Sequence, residues 1–413
     1  MIAEIITIGD ELLIGQVVDT NSAWLGKILS DNGIRVRQII SISDDREHIL
    51  MTLNERVGRV ELILITGGLG PTKDDITKSV LCEFFDTSLV LNHAALEKIE
   101  EFFISRALPM THINSQQAML PEACIPIPNE NGTARGMWFE KDGTIIISMP
   151  GVPFEMKPMV SNYVIPEIKK RFDLPVILHK TILTHGIGES FLSDLVETWE
   201  MSIDKRIKVA YLPQPGVVRV RLSCTGNSQE EVDSLLGKAE FDFIQIAGKY
   251  VFGFDDENLE NILFHRLKEC NKTLSVAESC TGGYLSHLIT SIPGSSSIYK
   301  GGVVAYSNEV KRTFLGVNEE TLQKYGAVSE QTVHEMAEGI RNRMETDFGI
   351  GISGIAGPDG GTTEKPVGTV CIAVSAKEKL IVKTFNFGHL RDNNIRRAAL
   401  SAIYLLLEQL VKD

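Results

Sequence analysis

The stretch that decides the fold is KTLSVAESCTGG, residues 272–283, where a β-type run (Lys272–Ala277) gives way to a helical pattern (Tyr284–Thr290). The junction offers a hydroxyl at Ser279, a thiol at Cys280 and two glycines. A helix N-terminus presents free backbone N–H groups, which suit an oxyanion beside a nucleophile. The junction is therefore a candidate catalytic turn. The alternative interpretation is a glycine-rich bend with a serine cap.

Two further loops follow strands downstream, Tyr306–Lys311 and Ser353–Gly361. If the three strands are parallel neighbours, their C-terminal loops meet at one edge of the sheet, and Lys311 could reach Ser279. A neutral lysine can take the proton of a serine hydroxyl, and burial favours the neutral form. The glycines of the third loop would let backbone N–H groups approach a phosphate closely.

Each of these features also has a plainer interpretation. Lys311 taken alone is typical of a solvated helix lysine, Tyr306 of an edge-packing side chain, and the glycine loop of a turn between strands. Cys280 is an alternative nucleophile, since thiolates attack well. Adjacent residues at a helix start point about 100° apart, so one of Ser279 and Cys280 faces the cleft and the other the core. No histidine lies at a spacing that would activate the thiol, which favours Ser279.

Strands and helices alternate at both ends of the chain, which predicts βαβ units and parallel sheets. Val217–Leu222 instead alternates apolar and polar residues, as a half-exposed antiparallel strand does. The final helix, Arg391–Leu410, carries an apolar stripe that would pack on a sheet. The predicted fold is α/β, with two doubly wound α/β domains (1–170 and 256–413) joined by a small α+β module (171–255). Strands are predicted at Ile2–Ile8, Ile34–Ile42, Glu61–Thr66 and near 273–277, 298–306, 348–353 and 368–376, and helices at Asn21–Leu29, Glu47–Val57, Glu189–Glu197 and Gln229–Ile246.

Composition limits the functional class. A formal net charge of −13 over 413 residues argues against a nucleic-acid binder, because neutralising phosphates requires a basic face. The six cysteines are dispersed and form no C-x-x-C pair, as expected of reduced cytosolic thiols. No apolar run approaches the roughly 20 residues that cross a bilayer. We therefore expect a soluble cytoplasmic protein without membrane partners.

A second candidate site lies in the first domain. The loop containing Gly67, Gly68 and Gly70 follows a strand and is a candidate phosphate cradle. Carboxylates from neighbouring loops could hold a divalent cation through oxygen ligands. Such an ion would offset the charge of a pyrophosphate and ready a water for attack. In the alternative, the acids after the loop only cap a helix and complement its dipole. The candidate metal ligands are Asp44, Asp74, Asp75 and Glu155.

Several long motifs in order resemble the CinA family (competence/damage-inducible protein A). Those similar to its C-terminal domain are Ala277–Gly283, Tyr306–Lys311, Gly326–Glu330, Ser353–Gly361 and Lys365–Val370. Those similar to its molybdopterin-binding-like N-terminal domain are Gly9–Gly15, Val18–Ser22, Thr66–Asp75, Asn114–Ala118, Asn131–Ala134 and Met149–Met156. The middle segment resembles the KH-type domain of the family but lacks the Gly-x-x-Gly loop with which such domains clamp nucleic acid. We therefore interpret it as a spacer or interface.

The resemblance implies a nicotinamide-nucleotide amidohydrolase that needs no cofactor and converts nicotinamide mononucleotide to nicotinate mononucleotide and ammonia. It implies Ser279 as nucleophile, Lys311 as base and Tyr306 beside them. Near this point the family commonly carries the sequence Gly-Asp-Arg, whereas the corresponding segment here, residues 388–392, is one residue longer. This difference leaves both Arg391 and Arg396 as candidates to hold the substrate phosphate, and we favour Arg391. Substrate contacts are expected at Thr281, Gly282, Gly283, Gly354, Ala356, Gly357, Arg391 and Arg396, and in the first domain at Gly67, Gly68 and Gly70.

For the first domain the resemblance implies a metal-dependent ADP-ribose pyrophosphatase. Kinship to molybdopterin-binding proteins leaves a non-catalytic pterin- or nucleotide-binding module as the alternative, because fold does not fix the ligand. The expected partners are small-molecule nucleotides and a second copy of the chain, with no nucleic acid. A role in DNA uptake is suggested only by the name of the family.

Overall fold

A computed structural model describes residues 1–72 and 75–410. The chain forms two compact units. One comprises residues 1–178 and 224–233, and the other comprises 179–223 and 234–413. The predicted Asp74 ligand lies outside the described residues.

The strands and helices follow the predicted alternation. The strands are β1 Ile2–Ile8, β2 Arg35–Ile42, β3 Leu62–Thr66, β4 Leu89–Leu91, β5 Met119–Pro121, β6 Ile125–Ile127, β7 Gly136–Lys141, β8 Thr144–Met149, β9 Val176–His185, β10 Ile207–Gln214, β11 Val217–Gly226, β12 Val251–Phe254, β13 Leu274–Glu278, β14 Tyr299–Val304, β15 Phe348–Gly354, β16 Thr369–Ser375 and β17 Leu380–Asn386.

The helices complete the description. They are α1 Asp10–Leu13, α2 Thr20–Asp31, α3 Arg46–Arg56, α4 Thr77–Phe84, α5 His93–Ser105, α6 His112–Ser115, α7 Pro153–Met159, α8 Ile165–Arg171, α9 Glu189–Ser202, α10 Gln229–Ala247, α11 Leu259–Glu269, α12 Tyr284–Thr290, α13 Asn308–Leu315, α14 Glu319–Tyr325, α15 Glu330–Met344 and α16 Arg391–Leu410. A π-helical turn spans Val160–Val164, and 3₁₀ turns span Gln116–Ala118, Gly248–Tyr250 and Ser295–Ser297. None of the described helices is long and apolar enough to cross a membrane.

The N-terminal sheet has the strand order β2-β1-β3-β8-β7-β6. Its first four strands are parallel, and helices cover both faces, with Leu25 of α2 in one buried cluster and Ile49 of α3 in another. The doubly wound fold is thus as predicted, but the sheet is mixed because β7 and β6 run antiparallel at one edge. The reason is a two-residue turn, Asp142-Gly143, with positive φ at both residues, which closes a β7–β8 hairpin.

The predicted α+β module contains a four-stranded sheet of order β10-β11-β9-β12. Strand β11 alternates as expected, because Val218, Val220 and Leu222 are buried while the residues between them are more exposed. β12 pairs antiparallel with β9 and ends at Phe254. The sequence pattern therefore predicted the strand type correctly.

The C-terminal sheet has the order β14-β13-β15-β16-β17. β14, β13 and β15 are parallel neighbours, so the loops after them meet at one edge of the sheet, as predicted. β16 and β17 are antiparallel, and β17 was missed by the sequence analysis because it is a half-exposed edge strand whose short apolar run, Leu380–Val382, is followed by polar Lys383 and Thr384. Helix α16 packs into the main apolar cluster through Ala399, Ala402 and Leu406.

Candidate active site

The turn of residues 278–283, called here the Ser279 turn, joins β13 to α12. The N–H of Ser279 donates to the carbonyl of Ile352 on β15 (2.9 Å), which fixes the start of the turn against the neighbouring strand. Gly282 and Gly283 have φ of 61° and 98°, a left-handed conformation that explains the paired glycines. Ser279 therefore lies in a tight turn before the helix and not at its first position.

Lys311 meets the side chain of Ser279. Its Nζ lies 3.1 Å from Ser279 Oγ and donates to the carbonyl oxygen of Ala305 at 2.7 Å. Helix α13, capped by Ser307, buries Lys311 to 1% exposure, so its interpretation as a solvated lysine is wrong. Burial lowers the pKa of Lys311, and the Cys280 thiol is the one group opposing it. The geometry thus provides a buried amine with a weakened hold on its proton beside a hydroxyl.

Cys280 is directed into the core. Its side chain belongs to the main apolar cluster, and burial raises the pKa of its thiol to about 12. A thiol with that pKa stays protonated near neutral pH and is a poor nucleophile. The two neighbours in the Ser279 turn face different surroundings, as the sequence predicted, and Ser279 is the one beside Lys311.

Glu278 is a residue that the sequence analysis missed. Its carboxylate is fully buried and accepts the N–H groups of Gly283, Leu285 and Ser286 at 2.8–3.1 Å, together with the Ser286 hydroxyl at 2.6 Å. The expectation that the free N–H groups of this helix form the oxyanion hole is therefore wrong, because Glu278 occupies them. The available signal was an acid at the end of an otherwise apolar buried strand, which calls for dedicated donors.

Arg391 connects the other two loops. Its guanidinium donates to the carbonyl of Gly357 at 2.7 Å and to the hydroxyl of Tyr306 at 3.2 Å. Tyr306 is 62% exposed, so it is not an edge-packing core tyrosine. Arg391 thus links the loop after β14 to the glycine-rich loop after β15.

Asn394 is a second residue that the sequence analysis missed. It is 1% exposed, and its side-chain amide donates to the carbonyls of Ala356 and Gly388 at 2.9 Å each. Together with Arg391 it holds the glycine-rich loop Ser353–Gly361, which begins where β15 ends. A buried asparagine within an apolar helix was the signal, because such an amide requires partners.

Arg396 lies with a different group of predicted contacts. A cavity of about 650 Å³ is lined by Thr281, Gly282, Gly283, Asn393 and Arg396 among others, while Ser279 and Lys311 are not part of its lining. The expected substrate contacts therefore fall into two groups. One contains Arg391 with Tyr306 and the glycine loop, and the other contains Arg396 with the end of the Ser279 turn.

The first domain contains a cavity of about 450 Å³ that gathers the predicted residues described there. Its lining includes Gly67, Gly68, Gly70, Asp44, Asp75 and Glu155. Gly67 and Gly68 both have positive φ, and a Cβ on Gly67 would lie 2.1 Å from the carbonyl oxygen of Ile8, so only glycine fits. This cavity, called here the N-terminal cavity, brings the glycine loop and the acids together.

The acids of the N-terminal cavity are engaged by nearby groups. Asp75 accepts the N–H of Thr72 at 2.9 Å, and Glu155 accepts the side-chain amide of Asn129 at 2.6 Å. The N-cap of helix α4 is Ile76, so the alternative is wrong in having Asp75 cap that helix, while its statement that the acids complement the helix dipole stays a prediction. Within residues 1–72 and 75–410, no three acidic, histidine or cysteine side chains lie close enough to hold a metal ion. The described residues thus do not by themselves fit a metal site, and the metal stays a prediction.

Asp44 shows that negative charge is crowded in this cavity. Burial is the main cause that raises its pKa, and the carboxylates of Asp10, Glu11 and Asp75 raise it further. The N–H of Asp10 opposes the shift by donating to Asp44 at 3.3 Å. A bound cation would relieve this repulsion.

Comparisons with known proteins account for nearly the whole chain. Residues 256–410 match the family described as "CinA C-terminal domain", residues 179–253 match "Damage-inducible protein CinA KH domain", and residues 4–170 match "Probable molybdopterin binding domain". A CinA-like protein of Cytophaga hutchinsonii is 46% identical over 408 residues, covering 99% of this chain and 98% of the relative. The chain belongs to the CinA family.

A second relative over the full length agrees with this assignment. A CinA-like protein of Flavobacterium psychrophilum is 43% identical and covers 100% of this chain and 99% of its own. The crystal structure of competence/damage inducible protein CihA from Agrobacterium tumefaciens is 37% identical, covers 36% of this chain and 92% of that chain, and has a TM-score of 0.36. In the present CinA protein, the C-terminal match contains Ser279, Lys311 and Arg391, and the N-terminal match contains the N-terminal cavity.

Proposed function

We propose that the C-terminal domain is an amide hydrolase that converts nicotinamide mononucleotide to nicotinate mononucleotide and ammonia. The observation that carries this proposal is the 3.1 Å approach of Lys311 Nζ to Ser279 Oγ at a buried site. A lysine whose pKa is lowered by burial supplies the neutral amine that a serine nucleophile needs. Membership of the CinA family supports the substrate class.

The first half of the reaction is acylation. Neutral Lys311 accepts the proton of Ser279, and the serine oxygen adds to the carboxamide carbon. The pyridinium ring withdraws electrons from that carbon, which favours addition. The ammonium of Lys311 then donates its proton to the amide nitrogen, the C–N bond breaks, and ammonia leaves an ester on Ser279.

Deacylation repeats the same proton transfers with water. Lys311, neutral again, accepts a proton from a water molecule as its oxygen adds to the ester carbon. The C–O bond to Ser279 breaks, the serine oxygen recovers a proton from Lys311, and the carboxylate product leaves. One water is consumed for each ammonia released.

Arg391 is the proposed partner of the substrate phosphate. Its contacts with Gly357 and Tyr306 hold the guanidinium among the loops that surround Ser279. Arg396, which lines the neighbouring cavity, is the alternative. Replacing each by methionine would separate them, because loss of the phosphate contact raises KM far more than it lowers kcat.

The decisive measurement is ammonia release from nicotinamide mononucleotide. Ser279→Ala and Lys311→Ala are expected to abolish turnover, while Cys280→Ala retains it because that thiol faces the core. Cys280→Ala is the matched control, being the adjacent residue and a comparable truncation. Undiminished activity in Ser279→Ala or Lys311→Ala would refute the pair, and loss confined to Cys280→Ala would identify the thiol as nucleophile.

We further propose that the N-terminal domain hydrolyses ADP-ribose with a divalent cation. The N-terminal cavity supports this, because it combines a glycine loop suited to phosphates with crowded carboxylates. AMP release that requires the cation and disappears in Asp75→Asn is the expected result. Tight pterin binding without turnover would instead favour the non-catalytic binding module.

The proposed partners are small nucleotides and a second copy of the chain. The net charge of −13 argues against direct nucleic-acid contact. A salt-sensitive shift of DNA in a gel at physiological ionic strength would contradict this proposal. Sedimentation of the purified protein tests the homodimer.

A further inference from the structure

The backbone N–H groups of the Ser279 turn can be accounted for one by one. Ser279 donates to Ile352, Gly282 to the carbonyl of Ser279, and Tyr284 to that of Thr281. The amides of Gly283, Leu285 and Ser286 all donate to Glu278. Two consecutive amides remain, those of Cys280 and Thr281. Among the described residues they donate to no other residue.

The side chain of Thr281 is also without a partner. Thr281 is 3% exposed, and no described group forms a hydrogen bond with its buried Oγ1. Buried hydroxyls are nearly always hydrogen-bonded, so an unpartnered one beside a nucleophile points to a ligand. Thr281 also lines the cavity of about 650 Å³ described above. Thr281, two residues after Ser279, therefore combines an unpartnered buried hydroxyl with a place in the lining of a space that a ligand can enter.

We propose that the N–H groups of Cys280 and Thr281, with the Thr281 hydroxyl, form the oxyanion hole of Ser279. This inference rests on the amide hydrolysis proposed above. When Ser279 adds to the carboxamide, the carbonyl oxygen gains negative charge, and three donors on the two residues after the nucleophile stabilise it. The donors form hydrogen bonds only, so the proton transfers through Lys311 are unchanged.

Glu278 is a positioning residue in this arrangement. By accepting the three helix amides it fixes the residues that follow the turn, and it keeps those donors from competing for the oxyanion. Gly282 and Gly283 then reverse the chain so that the amides of Cys280 and Thr281 stay unbonded. The oxyanion hole is thus provided by the turn and not by the helix.

Thr281→Val tests the hydroxyl, because valine keeps the shape and removes the donor. We expect kcat for nicotinamide mononucleotide to fall on the order of 10²-fold, with KM changed by less than about threefold. Thr281→Ser restores most of the rate. Thr290→Val on the exposed face of α12 is the matched control and keeps wild-type turnover.

A thiocarboxamide analogue of the substrate separates an oxyanion contact from a structural role, because sulfur accepts hydrogen bonds poorly. The wild-type protein should prefer the oxygen substrate strongly, and Thr281→Val should reduce that preference by roughly tenfold, whereas a structural defect slows both substrates equally. The oxyanion hole is overturned if Ser279→Ala is inactive but Thr281→Val keeps the wild-type kcat. It is also overturned if Thr281→Val keeps the wild-type ratio of the rates with the oxygen and sulfur substrates. If Ser279→Ala is itself active, the proposed hydrolysis fails first.

Discussion

The Ser279 turn and the N-terminal cavity differ in the charged groups that they contain. In the C-terminal domain a lysine is buried beside a hydroxyl with no carboxylate paired to it among the described residues, so its proton is weakly held. In the N-terminal domain several carboxylates face one cavity, where burial first and repulsion from neighbouring carboxylates second raise the pKa of Asp44. One region buries an amine that has no ion-pair partner among the described residues, and the other gathers carboxylates around one cavity.

This difference bears on what each region needs. The proposed nucleophile Ser279 and the proposed base Lys311 are already in contact, so the proposed reaction needs only substrate and water. The acids of the N-terminal cavity already accept hydrogen bonds from neighbouring protein groups, and a positive ligand would be needed to bring them to a common function. The first region is therefore expected to act alone, and the second to depend on an added cation.

Lys311→Met should have the largest effect. Methionine keeps the length and the apolar stem but removes the base, so ammonia release should fall roughly 10³-fold. Arg312→Met, one residue along α13 on its exposed face, is the control and should remain active. Comparable activity in the two variants would show that the buried lysine is not the base.

The pH profile should show the titration of Lys311. Only the neutral amine accepts a proton, so kcat should rise with pH and fall about tenfold per unit below the pKa. Because burial lowers this pKa from 10.5, the midpoint should lie below that value. A midpoint above 10.5 would contradict the role of burial.

Magnesium should stabilise the N-terminal domain. If the cavity binds the ion, thermal unfolding should shift upward by roughly 2–4 °C, equivalent to about 1 kcal/mol. Asp44→Asn and Glu155→Gln should lose the shift, whereas Glu101→Gln, an exposed acid on α5, should keep it. If magnesium raises the unfolding temperature equally in all variants, the ion binds elsewhere. The N-terminal cavity would then not differ from the Ser279 turn in its need for a cation.

Alkylation of Cys280 should be the smallest effect. Its thiol has a pKa of about 12 and lies in the core, so iodoacetamide near neutral pH should leave it unmodified. Exposed Cys270 should react readily and serves as the internal control. Peptide mass spectrometry distinguishes the two sites, and rapid labelling of Cys280 with loss of activity would reopen its candidacy as nucleophile.

The sequence predicted the C-terminal site well because topology governs it. Once β13, β14 and β15 are parallel neighbours, the loops that carry Ser279 and Lys311 must meet at one edge. The spacing of strands and helices was enough to infer this meeting. It required no knowledge of side-chain contacts.

The features that sequence reasoning missed depend on how individual polar groups are satisfied. An acid at the end of an apolar strand indicated that Glu278 needs hydrogen-bond donors, but the pattern did not show that these donors would be amides at the start of α12, or that Asp75 would bond back to Thr72. The antiparallel edges were missed because short hairpins such as β7–β8 depend on local turn chemistry and carry little periodicity. Strand periodicity thus predicts where loops converge but not which donors remain unused.

The burial of Lys311 also has a consequence for how the protein can evolve. Since its pKa in the folded chain is lowered from 10.5, the unfolded chain binds more protons between the two values. Stability therefore rises with pH across that window, and the cost of burying the amine is greatest below it. Lys311→Met removes that cost, so a screen for folded protein near neutral pH should enrich methionine at this position, while a screen for turnover should eliminate it. If methionine at position 311 is enriched in the first screen and lost in the second, lysine is retained there for turnover although it lowers the stability of the fold.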